Sequence, residues 1–110
     1  MSKVFYDNLL DLSSVEKSIK KVSSTKEEMI ELWEVVDEIV HHRVMGCVLE
    51  TLPAKHHHEF LEMLHHTPHD EKLLIFLKEK IGKDVSMLIK EVVAVLVLEL
   101  TKDIEFGKVK

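Results

Sequence analysis

Only six residues of this chain are Gly, Pro or Asn: Gly46, Gly82, Gly107, Pro53, Pro68 and Asn8. A fold of many short strands needs frequent turns, and turns draw on these residue types. Their scarcity excludes an all-β architecture and favours helices. Helix-start signals then divide the chain. Ser13-Ser14-Val15-Glu16 has the form of a capping box, with Ser13 as N-cap and Glu16 reaching back. Ser24-Thr25-Lys26-Glu27 repeats that form. Thr67-Pro68-His69-Asp70 offers an N-cap, a proline at the first helical position and an acid in the first turn. Pro53 opens another helix near Thr51 or Leu52, and Lys83-Asp84 begins the last element. Gly82 stands where a helix C-cap takes a residue of positive φ. The expected helices run roughly over 3–11, 14–22, 25–50, 53–66, 69–81 and 84–104. Connections this short imply antiparallel neighbours around one core. The expected fold is all-α: a single domain over residues 1–110, a compact irregular bundle of five to six helices built around 25–50 and 84–104.

Apolar residues make up 45% of the 110 and charged residues 32%, enough for a core and for a soluble surface. A formal charge of −5 argues against a general nucleic-acid binder. The lysines at 17, 20, 21 and 26 are a mild basic patch, but Glu16, Glu27 and Glu28 beside them make a solvated face. The single cysteine, Cys47, excludes an internal disulfide framework. The longest apolar run, Val92 to Leu98, has seven residues, whereas a membrane span takes roughly 20. The first residues, MSKVFYDNLLDL, lack a secretory pattern, so the expected location is cytoplasmic. A signal removed earlier would leave no trace.

Two helices carry most of the apolar content. In 25–50, Met29, Trp33, Val36, Val40 and Cys47 share one face, with Val44 at its edge and Glu31, Glu34 and Glu38 opposite. Cys47 is therefore expected as a buried small hydrophobe rather than a nucleophile. Gly46 interrupts this helix at about 1 kcal/mol relative to Ala, either to admit a close neighbour or as tolerated weakness. From Val85 to Leu100, twelve of sixteen residues are apolar. The β-branched run there could form a strand, but no second strand exists to pair with it. As a helix, its main face holds Val85, Leu88, Ile89, Val92, Val93, Leu96 and Leu100, while Val95 and Leu98 fall toward another side. Such a helix is either central in the core or covered by a second chain. The expected function is a non-enzymatic protein–protein interaction module. A homodimer or a helical partner would cover Val95 and Leu98.

Arg43, the only arginine, falls inside the apolar stripe of helix 25–50, and Glu99 lands on an apolar side of the last helix. A half-buried guanidinium needs a carboxylate, with Glu99 the first choice and Glu50 the second. Otherwise Arg43 packs its stem and reaches water with its head.

All eight histidines lie between His41 and His69. His57 joins Phe60, Leu61 and Leu64 on an apolar face and is expected to be partly buried. His58, Glu62 and His65 stand at i, i+4 and i+7, where two imidazoles and a carboxylate can converge on zinc, nickel or copper. His66 or His69 could add a fourth ligand, and Glu38 and His42 form another i, i+4 pair. The alternative function is therefore a histidine-rich transition-metal binder. Without a metal the tract is a solvated polar face, and mild acid would erase the net negative charge. No HExxH, Gly-rich loop or nucleophile arrangement is present, so neither an enzyme nor an organic cofactor is expected.

Four segments have a recurrent pattern. They are Glu38-Ile39-Val40-His41-His42-Arg43-Val44, Leu49-Glu50-Thr51-Leu52-Pro53, Glu59-Phe60-Leu61-Glu62-Met63-Leu64 and Ile75-Phe76-Leu77-Lys78-Glu79-Lys80-Ile81. Over roughly residues 25–104 the chain resembles a family of small bacterial helical domains of unknown function. The resemblance implies a helical fold and no assigned activity. Charged residues are usual in that pattern where this chain has His56 to His58, His65 and His66, so the histidine tract departs from it.

Overall fold

The computed structural model describes residues 4–107. Among the described residues there are five α-helices and no strand, so the fold is all-α. The helices are α1 (Ser13–Val22), α2 (Lys26–Thr51), α3 (His57–His66), α4 (Lys72–Ile81) and α5 (Val85–Glu105). Two 3-10 turns, Asp7–Leu9 and Ala54–His56, precede α1 and α3.

The helix expected over 3–11 does not form; only the Asp7–Leu9 turn does, and residue 3 lies outside the described residues. The Asp7 carboxylate accepts the Val4 N–H at 2.9 Å. Leu10 is already extended at ψ 133°. A side chain that bonds its own local backbone competes with helix propagation. Phe5 and Tyr6 in this segment are buried.

Three helix starts use an aspartate, two of them in place of the expected hydroxyls of Ser13 and Thr67. Asp11, Asp70 and Asp84 each accept the N–H two residues on, from Ser13 at 3.3 Å, Lys72 at 2.9 Å and Ser86 at 3.1 Å. Ser13 is thus the first residue of α1 and not its N-cap; its own hydroxyl donates to Asp11 at 2.7 Å, and Glu16 pairs with Lys20 at 3.1 Å. A carboxylate accepts a stronger bond than a hydroxyl and complements the positive end of the helix dipole. At α2 the capping box forms one residue later than the spacing predicts. Thr25 accepts the Glu28 N–H at 3.1 Å, and Glu28 reaches back to the Ser24 N–H at 3.2 Å.

Pro68 does not open α4, which begins at Lys72. Thr67 instead donates its hydroxyl to the Met63 carbonyl at 3.2 Å, closing α3, and the Pro68 carbonyl accepts the Phe5 N–H at 2.7 Å. Residues before a proline avoid the helical region, and Thr67 lies outside it at φ −139° and ψ 67°. Gly82 ends α4 at φ 76°, and its N–H donates to the Lys78 carbonyl, as expected for a left-handed C-cap.

The chain divides into two compact units, each built from two stretches of sequence. One comprises residues up to Leu10 and Met45–Glu91. Its core is aromatic. Phe60 on α3 stacks on Phe76 of α4 with ring centroids 6.4 Å apart, and Phe5 meets Phe60 edge-on at 6.0 Å. Met45, Val48, Leu52, Leu73, Leu77, Val85 and Ile89 complete it. Full burial of a side chain such as Phe60 contributes about 1.5–3 kcal/mol. Leu61, expected on the same face, is exposed, while His57 and Leu64 are half-buried.

The other unit comprises Asp11–Val44 and the residues from Val92 onward. Its core is aliphatic: Val15 and Ile19 of α1, Val36, Val40 and Val44 of α2, and Val93, Leu96, Leu100 and Ile104 of α5. On α2 the buried residues follow the i, i+4 ridge of valines, which drifts by about 40° at each step. Val44 is therefore fully buried rather than marginal. The drift leaves Met29, Trp33 and Cys47 half-buried. On α5 the buried line is Val85, Ile89, Val93, Leu96, Leu100 and Ile104; Leu88 and Val92, expected on it, stand half-buried at its flank. No described helix is long and apolar enough to cross a membrane.

Candidate functional site

α5 buries one side so completely that its other side is left to solvent with apolar residues on it. Val95 is 56% exposed and Leu98 is 72% exposed. Their neighbours Val93, Leu96 and Leu100 are almost wholly buried. The alternation follows from helical geometry. Residues 93, 96 and 100 share a face with spacings of three and four, and 95 and 98 share the opposite one. Ala94 is exposed beside them, with Glu91 one turn before and Lys102 one turn after, both exposed.

Charged contacts hold the sides of this unit. Arg43 Nη2 lies 3.5 Å from Glu99 Oε2, so the expected partner is the observed one. The setting differs from expectation: the side chains are 48% and 51% exposed, and one nitrogen is engaged rather than a buried fork. Arg43 sits where the valine ridge has drifted away, so its head reaches water. A second cluster carries no signal in local spacing. Lys21 Nζ donates to Glu105 Oε1 at 2.8 Å, and Ser18, which is buried, donates to Glu105 Oε2 at 3.2 Å. These bonds hold the Glu105 carboxyl below the usual glutamate range and raise the Lys21 ammonium above the usual lysine range. Residues 18 and 105 are remote in sequence, so only the fold brings them together.

The histidines do not gather. His58 Nε2 lies 3.5 Å from Glu62 Oε1, with the side chains 89% and 65% exposed. His65 is set edge-on against His66 at 5.4 Å. Among the described residues no group of three His, Cys, Asp or Glu side chains is placed to hold a metal ion. Of the expected His58, Glu62 and His65 set, only His58 and Glu62 are in contact. Exposed long side chains at helical spacing diverge unless other groups orient them. Two further rings serve structure. His57 Nε2 donates to the Leu52 carbonyl at 2.7 Å, which accounts for its half-buried position, and His56 packs edge-on against Phe76 at 6.4 Å.

The spacing also did not mark Leu61, Ile75 and Met87, all exposed apolar residues of the aromatic unit. Ile75 stands between the buried Leu73 and Phe76, a position only the packing of α4 reveals. No protein-family model, curated protein or solved structure matches this chain.

Proposed function

We propose that this protein is a non-enzymatic interaction module that associates with a second copy of itself through the outer face of α5. The observation that carries the reading is the exposure of Val95 and Leu98 on a helix whose opposite face is fully packed. Neither residue is needed to complete the core. Exposing them to water is unfavourable by about 25 cal/mol per Å² of apolar surface, and covering them removes that cost.

One helix face makes a small interface, at the weak, transient end of protein–protein contacts. The association is therefore concentration-dependent. Sedimentation equilibrium on Val95→Asp and Leu98→Asp tests it. Both positions are exposed, so helix content and melting temperature are expected to stay close to wild type while self-association is lost. A wild-type chain that is monomeric at every concentration contradicts the reading, as do variants that associate as well as wild type.

A further inference from the structure

We infer that two copies pair α5 against α5 in antiparallel orientation, with Glu91 of each chain opposite Lys102 of the other. The inference rests on the self-association reading above and supplies its register. Glu91, Val95, Leu98 and Lys102 follow one another at spacings of four, three and four on one continuous helix, and all four are exposed. They fall within about 60° of one another around the helix axis, the narrow seam that two helices bury between them. The seam is apolar in the middle, acidic at one end and basic at the other.

That order is self-complementary in only one direction. The midpoint between Val95 and Leu98 along the chain is also the midpoint between Glu91 and Lys102. A two-fold axis through that point sets Val95 against Leu98 and Glu91 against Lys102, each contact occurring twice. Parallel pairing would set Glu91 against Glu91 and Lys102 against Lys102, placing like charges together at both ends. Neither Glu91 nor Lys102 makes an ion pair among the described residues, whereas the nearby Glu99 and Glu105 are engaged with Arg43 and Lys21. The two seam charges are thus free to meet a second chain. The length of the seam, about 16 Å at about 1.5 Å per residue, suits a contact of a few side chains from each copy.

The test is a charge swap, read by sedimentation equilibrium at low salt with reductant present. Glu91→Lys and Lys102→Glu each place like charges at both ends of the antiparallel seam. Each is expected to weaken self-association about tenfold or more. The double variant E91K/K102E reverses the seam and is expected to recover wild-type association to within about threefold. Added salt should shrink the differences, because these pairs are exposed at the rim. Single variants without effect, or a double variant no better than the singles, overturn the register. If Leu98→Asp still dissociates the dimer in that case, the self-association reading stands and only the register fails. A monomeric wild type, with or without another protein bound to Val95 and Leu98, overturns both.

Discussion

Arg43 shows how one residue's energetic weight depends on where its head group ends. Its guanidinium meets Glu99 through one nitrogen at 3.5 Å, with both side chains about half exposed. Exposed pairs of this kind contribute about 0–1 kcal/mol. Arg43→Leu is therefore expected to change urea-unfolding stability by about 0.5 kcal/mol or less. A loss of several kcal/mol would mean a buried pair and contradict the geometry. Glu105 makes a different prediction, read against pH. Its carboxyl is held low by the Lys21 and Ser18 bonds, so its contribution is present above the ordinary glutamate range and is lost as pH falls through the lowered pKa. The Lys21 side of the pair is lost only at alkaline pH, as pH rises through its raised pKa. Glu105→Gln should thus be slightly less stable than wild type near neutrality, and the difference should vanish in acid. A difference that persists or grows on acidification contradicts the assignment.

Elements were partly legible because their signals are local. Gly82 needs only its own left-handed φ to end α4, and the spacing locates it. The cap residues were legible only as a short list. Ser13, Thr67 and Ser24 stand within three residues of the true caps, but Asp11, Asp70 and Thr25 hold the bonds. The choice depends on which side chain the incoming chain aims at the helix end. Buried faces were legible to within one strip of the wheel, since drift along the valine ridge of α2 sums over several turns and is fixed by packing. Gly46 settles one open question. It is exposed, and a Cβ placed on it would meet nothing within 4 Å, so no neighbouring helix requires it. Gly46→Ala is expected to stabilise the protein by about 0.5–1 kcal/mol, seen as a raised melting temperature. A lowered melting temperature would show that the backbone at this point does more than continue the helix.

For the whole molecule, the all-α class followed from what the chain lacks, namely residues to make many turns. The apolar surplus of α5 was legible as composition, and the exposed face follows from packing one side of it. The placement of the histidine rings was not legible, because i, i+4, i+7 spacing is necessary for a shared metal ion but does not orient exposed rings toward one. Lys21, Ser18 and Glu105 left no trace in the sequence, since their meeting depends on the complete fold. The central claim is that Val95 and Leu98 are exposed in one chain because a second chain covers them. Sedimentation equilibrium of the wild-type protein, from about 1 µM to about 1 mM, tests it most directly. Reductant is needed because Cys47 is a free thiol. The predicted result is an average mass that rises with concentration from one chain toward two and reverses on dilution. A mass of one chain throughout that range would contradict the account.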